Sequence, residues 1–258
     1  MKKLVLFLFL SLALSYAKGI NIGSENAYKP FAYIDKNGNA TGFDNELVRL
    51  VVSYIPDAEA NFVSVTWNAI FSGLDSAKFD VIANQITKSK EREEKYLFSK
   101  YPYFYGISAL ISGANKNISS FDELKNGKIG VTVGSNHAKN LENHAKTHKE
   151  LNYEIIYYKS SPALVADLAN GRVQAMVNDP IAALDYAKAQ NVKINPTQIY
   201  LEETPVVLIC RKDSKDLADE FDKALKKAIQ DGKVSALIRQ YFGDDYAQAI
   251  QKEFDKIQ

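Results

Sequence analysis

The feature that most constrains this chain is an alternation. Short runs rich in Val, Ile and Tyr recur between amphipathic stretches of helical period. Such alternation builds βαβ units and an α/β fold, because each strand covers its apolar faces with the helices that flank it. Strands are predicted at Gly19–Ser24, Ala60–Thr66, Phe79–Asn84, Ile107–Ser112, Lys128–Val133, Tyr153–Tyr158, Val173–Val177 and Pro205–Arg211. The clearest helical face is Phe43, Leu47, Leu50, Val51 and Tyr54, at i, i+4, i+7, i+8 and i+11. Further helices are expected over Trp67–Ala77, Asn136–His148, Pro162–Ala169, Pro180–Gln190 and Ser214–Gln230, with a pair from Val234 onward. The plan strand, polar loop, helix, strand, helix occurs before residue 106 and again after 128.

The 258 residues are 46% hydrophobic and 24% charged, which suits one or two globular cores. Basic and acidic residues number 32 and 31, so no single-sign field announces nucleic acid as a partner. Lys2 and Lys3 precede an apolar run to Leu14 and then Ser15-Tyr16-Ala17, which reads as a secretory signal peptide over residues 1–17. The apolar segment is too short for roughly 30 Å of hydrocarbon. No Cys follows the expected cleavage point to take a lipid, so release into the periplasm is expected. Cys210 is the only cysteine and excludes an intramolecular disulfide; it ends the apolar run Val206-Val207-Leu208-Ile209 and reads as a buried small hydrophobe.

Ligands of open α/β sheets bind beyond the carboxyl ends of strands, so the residues just after each predicted strand carry the functional reading. The first strand leads to Glu25, Asn26, Ala27 and Tyr28. The second leads to Trp67, the single tryptophan, which taken alone reads first as core packing. The third leads through Asn84 and Gln85 to Thr87, Ser89 and Arg92, hydroxyls and a guanidinium fork able to clamp a carboxylate. Taken alone, Arg92 reads first as a solvated partner of a neighbouring Glu. In the second half, Gly134-Ser135-Asn136-His137 opens a helix whose N–H groups face an anion, and Asp179 follows Asn178 before Pro180. Asp179 fits either a helix N-cap or an ammonium ligand.

No nucleophile elbow, phosphate loop or dinucleotide fingerprint is present. His144 and His148 are spaced i, i+4 but no Glu follows His144, so a solvated helix face is expected rather than a metal site. No catalytic residue, metal or cofactor is expected.

The run FDVIANQ, TKSKER, FSKYPY from Phe79 to Tyr103 resembles the corresponding stretch of the polar amino-acid substrate-binding proteins of ABC importers. The order of ENAYKPF, GFDNELV, VTWNAIFSGLDSAKFD, FDELKNGKIGVTVGSN, LANGRVQAMVND and IRQYFGDD agrees along the chain after the leader. One departure is Ser89-Lys90 where the family often has Thr-Pro; the hydroxyl that caps the helix is kept. The resemblance implies a two-lobed periplasmic-binding-protein fold of type II, each lobe a mixed, mostly parallel sheet flanked by helices. Two crossover strands join residues 18–105 plus 206–258 to residues 106–205. It implies Arg92 on a ligand α-carboxylate, helped by Thr87 and the backbone near Gln85, with Ser135 and Asn136 approaching from the second lobe and Asp179 on the α-ammonium. Tyr28 and Trp67 would wall the side-chain pocket with Glu25 at its rim, and the binding set is completed by Asn84 and Gly134. ANQ and NDPIAALDYAK most resemble the cystine-binding branch. The implied partners are L-cystine and an inner-membrane ABC permease, with the chain a monomer. The implied alternatives are cysteine or glutamine as ligand, or a cyclohexadienyl/arogenate dehydratase on the same fold.

Overall fold

The computed structural model describes residues 18–114 and 116–257; the expected signal peptide lies outside the described residues. Two five-stranded sheets form two lobes. In the first the order is Ala58–Val65, Lys18–Glu25, Val81–Ile82, Ile209–Arg211, Tyr96–Phe98. In the second it is Glu154–Tyr158, Lys128–Thr132, Ala175–Asn178, Phe104–Gly113, Ile194–Val206. Each sheet is mixed in the same way, its first two pairings parallel and its last two antiparallel. The duplicated plan in the sequence is therefore a duplicated topology. A small ribbon of Ala27–Tyr28, Ala32–Ile34 and Ala40–Thr41 carries the Asp35–Asn39 turn at its tip.

Helices form where the apolar period demanded them. Phe43–Val52 buries Phe43, Leu47, Val48 and Val51, and Lys215–Gln230 buries Phe221, Leu225 and Ile229. Gly42 sets the entry of the first of these at φ 105°, where a Cβ would collide with the Phe31 carbonyl.

Three expectations are corrected. The predicted strand Pro205–Arg211 is the end of one strand and the start of another, with Val207 and Leu208 between them. Ile194–Val206, 13 residues long, was not expected, because Pro196, Pro205 and the Glu202-Glu203 pair hide its alternation. It is an edge strand, paired only with Phe104–Gly113 and with its register shifted between Pro196 and Glu202, and an edge tolerates proline. Trp67–Ala77 divides into a 3-10 turn, Trp67–Ala69, and a short helix, Ile70–Asp75.

The two long strands of the second lobe reach the first at Phe104↔Val206, where Thr87 also bridges to Val206. Phe104 is completely buried there against Phe43 (ring centroids 5.0 Å), Phe242 (5.1 Å) and Tyr246 (5.2 Å, stacked). Tyr246 also donates its hydroxyl to the Tyr105 carbonyl at 2.9 Å. Each such aromatic pair adds about 0.5–1.5 kcal/mol beyond its burial, so the terminal helices hold the crossover firmly in the first lobe.

Candidate functional site

A partly open cavity lies between the lobes, with about 400 Å³ of space when the solvent at its mouth is included. Its lining residues sit at or just after the carboxyl ends of strands. Glu25 ends Lys18–Glu25, and Asn84 and Gln85 follow Val81–Ile82; Thr132 ends Lys128–Thr132 and Asn178 ends Ala175–Asn178. This is the placement that α/β topology dictates, since the loops that change direction lie there.

On the first lobe, Glu25 and Asn84 hold each other. The Asn84 Oδ1 accepts the Glu25 backbone N–H at 2.7 Å, and its Nδ2 donates to Glu25 Oε2 at 3.1 Å. Burial pushes the Glu25 carboxyl up to about 7 against the pull of that hydrogen bond. Gln85 adopts φ 50°, a left-handed conformation that disfavours a side-chain-bearing residue by about 1–2 kcal/mol. The fully buried Asp44 compensates, accepting from both the Gln85 backbone N–H and its Nε2 at 2.7 Å. Tyr28 packs against Phe31 and Tyr186, at 5.3 and 6.4 Å between centroids.

On the second lobe, Ser135 caps the helix Asn136–Thr147 by accepting from the Ala138 N–H at 3.1 Å, and donates to the Thr132 carbonyl at 2.7 Å. Asp179 caps Pro180–Ala189, one carboxylate oxygen accepting from Ile181 and Ala182 at 2.8 and 3.0 Å. Burial pushes its carboxyl up to about 6 in spite of those bonds.

Among the described residues three hydrogen bonds cross between the lobes. Trp67 Nε1 donates to the Val133 carbonyl at 3.0 Å, Arg92 Nη2 to the Gly134 carbonyl at 3.0 Å, and the Tyr186 hydroxyl to the Ala27 carbonyl at 2.7 Å. Arg92 Nη1 donates to the Thr87 carbonyl at 2.9 Å, and burial lowers the guanidinium pKa to about 10.

Of the residues singled out from sequence, Glu25, Tyr28, Trp67, Asn84, Gln85, Ser135 and Asn136 line the cavity. Thr87, Arg92 and Gly134 are joined to one another at the interlobe contact, and Asp179 lies buried behind Asn178. Sequence reasoning missed Asp44, Thr132, His137, Ser161 and Asn178. His137 and Asn178 stand inside loops already marked by their place after a strand, so a signal for them existed. Asp44 and Ser161 carried none, because their roles depend on contacts across the fold.

The whole arrangement, two duplicated lobes with polar groups converging on a cleft, can be compared with known proteins. Residues 20–244 match the bacterial extracellular solute-binding proteins, family 3. The chain belongs to that family. Among relatives of this solute-binding protein, the L-cystine-binding protein TcyJ of Escherichia coli is 31% identical over 225 residues, covering 87% of this chain and 82% of its own. A structure titled a putative L-cystine ABC transporter from Listeria monocytogenes superposes with TM-score 0.78 at 28% identity, covering 89% of this chain and 98% of that one. The ancestral amino acid-binding protein AncCDT-1, titled a precursor of cyclohexadienyl dehydratase, superposes with TM-score 0.72 at 28% identity, over 87% of this chain and 95% of its own. The two-lobed fold expected from the resemblance is thus the fold of this protein, with each sheet evenly mixed rather than mostly parallel, and its relatives serve amino-acid ABC importers. No helix among the described residues is long and apolar enough to cross a membrane.

Proposed function

We propose that this solute-binding protein captures a polar amino acid, L-cystine foremost, in the interlobe cleft and delivers it to an ABC permease after export to the periplasm. The observation that carries the reading is Arg92. Its half-buried guanidinium hydrogen-bonds two carbonyls, one on each lobe, rather than a carboxylate, and so retains a full charge for a ligand α-carboxylate. Thr87 and Ser135 flank that position, and Asp179, though engaged as a cap and buried behind Asn178, supplies the negative charge that attracts the α-ammonium. The lobes as divided from sequence, 18–105 plus 206–258 against 106–205, rotate about the Phe104↔Val206 crossover, and the ligand favours closure because only then do both lobes contact it. The chain acts as a monomer, and no cofactor enters. A micromolar affinity corresponds to about −8 kcal/mol, which a few charge-assisted hydrogen bonds at about 1.5–3 kcal/mol each supply after ordering losses.

The dehydratase alternative rests on Glu25, whose carboxyl is pushed up to about 7 by burial inside the cleft. Mass spectrometry of ligand released by denaturing the purified protein separates the two, with calorimetry in competition: L-cystine binding more tightly than L-glutamine, L-arginine or L-histidine supports the reading. Turnover of prephenate or arogenate with no amino-acid binding overturns it.

A further inference from the structure

We propose that the second lobe carries a donor-rich subsite, built from the His137 imidazole and the Asn178 amide, which takes a hydrogen-bond acceptor at the far end of the ligand. It rests on the reading of the cleft as an amino-acid site and specifies which class of amino acid fits. Asn178 is only 1% exposed and lines the cavity. Its Oδ1 accepts the Asp179 N–H at 2.8 Å, which fixes the amide nitrogen on the other side. That nitrogen is buried without a partner. A buried unpaired donor is destabilising, a penalty that an acceptor on a bound ligand removes.

His137 lines the same cavity and is 7% exposed. Its tautomer follows from the hydrogen bonds behind it. Asn140 Nδ2 donates to Ser108 Oγ at 2.9 Å, and Ser108 Oγ stands 2.7 Å from His137 Nδ1. The buried Ser108 hydroxyl has no acceptor other than Nδ1 among the described residues, so we assign its proton there and the neutral ring's own proton to Nε2. Thr132 and Ser161 add a third donor: their hydroxyls are 3.0 Å apart, and whichever accepts keeps its proton for another partner. The second lobe contributes no carboxylate to the lining; the cavity's carboxylate, Glu25, comes from the first. The chemistry of this wall therefore suits an amino acid whose side chain ends in a carboxylate or carbonyl oxygen, as in the second half of cystine or the amide of glutamine. It does not suit a cationic or an apolar end.

Calorimetry with L-cystine, L-glutamine, L-norleucine and L-lysine tests this. The parent protein should bind cystine or glutamine at least about tenfold more tightly than norleucine or lysine. Asn178→Asp keeps the oxygen that the Asp179 N–H needs but replaces the donor, and should weaken the acceptor-ended ligand by about tenfold while leaving lysine no weaker. Parent protein that binds lysine or norleucine as tightly as cystine and glutamine overturns the subsite and leaves the amino-acid reading standing; parent protein that binds none of the four overturns both. Long-range ¹H–¹⁵N NMR of the unaltered protein gives a readout that needs no variant to fold: an Nε2–H tautomer at His137 supports the proposal, and an Nδ1–H tautomer overturns it.

Discussion

The Trp67 indole N–H donates to the carbonyl of Val133 across the cleft at 3.0 Å, and the next carbonyl, Gly134, accepts from Arg92 at the same distance. Both donors rest on one ring: Trp67 meets Phe71 edge to face at 5.9 Å, and the Arg92 guanidinium lies 4.8 Å from its centroid. Trp67→Phe retains the ring and removes the N–H. It should weaken ligand binding several-fold, about 0.5–1.5 kcal/mol, and shift the scattering profile of the liganded protein toward an open form. Unchanged affinity and unchanged scattering would show that this bond takes no part in closure.

Arg92→Lys keeps the charge and removes the planar fork that reaches Thr87 and Gly134 together. The expected loss in amino-acid affinity is at least about tenfold, or about 1.4 kcal/mol. Calorimetry that finds the lysine variant as tight as the parent removes Arg92 from the carboxylate site.

Asp179→Asn preserves an oxygen for the N–H groups of Ile181 and Ala182 but not the negative charge. Thermal stability without ligand should hold while the ligand-induced rise in melting temperature disappears. A rise equal to the parent's would reduce Asp179 to a helix cap.

Glu25 confers a pH dependence whose sign is set by burial. Its carboxyl moves from 4.5 up to about 7 in the folded chain, so the folded state holds a proton that the unfolded state releases between those values. Its contribution is full below about 4.5 and is lost as pH rises through about 7. Glu25→Gln keeps an acceptor for Asn84 and cannot ionise, so the melting temperature of the variant minus that of the parent should grow from pH 4.5 to 7. A difference flat across that range contradicts the assignment.

Cys210 is 2% exposed, and burial pushes its thiol up to about 12. A thiol held protonated does not exchange with a disulfide. Cys210→Ser should leave L-cystine affinity nearly unchanged, and intact-mass analysis of native protein incubated with L-cystine should find no cysteinyl adduct. An adduct would place the thiol within reach of the ligand.

Period and punctuation in the sequence determined the duplicated α/β plan, the helices over Phe43–Val52 and Lys215–Gln230, and the loops after strands where the cleft residues stand. These are local properties: side-chain spacing chooses helix or strand, and strand ends choose where polar loops gather. The edge strand Ile194–Val206 escaped because its pairing is supplied by Phe104–Gly113, ninety residues away in the chain, rather than by its own alternation. Tertiary structure alone decided that Asp44 would hold Gln85 in a left-handed conformation, and that Asn178 rather than Asp179 would stand at the cavity wall. It also decided that Ser108, His137 and Asn140 would join in one hydrogen-bonded chain. Each of these depends on the position of a partner distant in sequence or on the direction of a side chain, and residue spacing encodes neither.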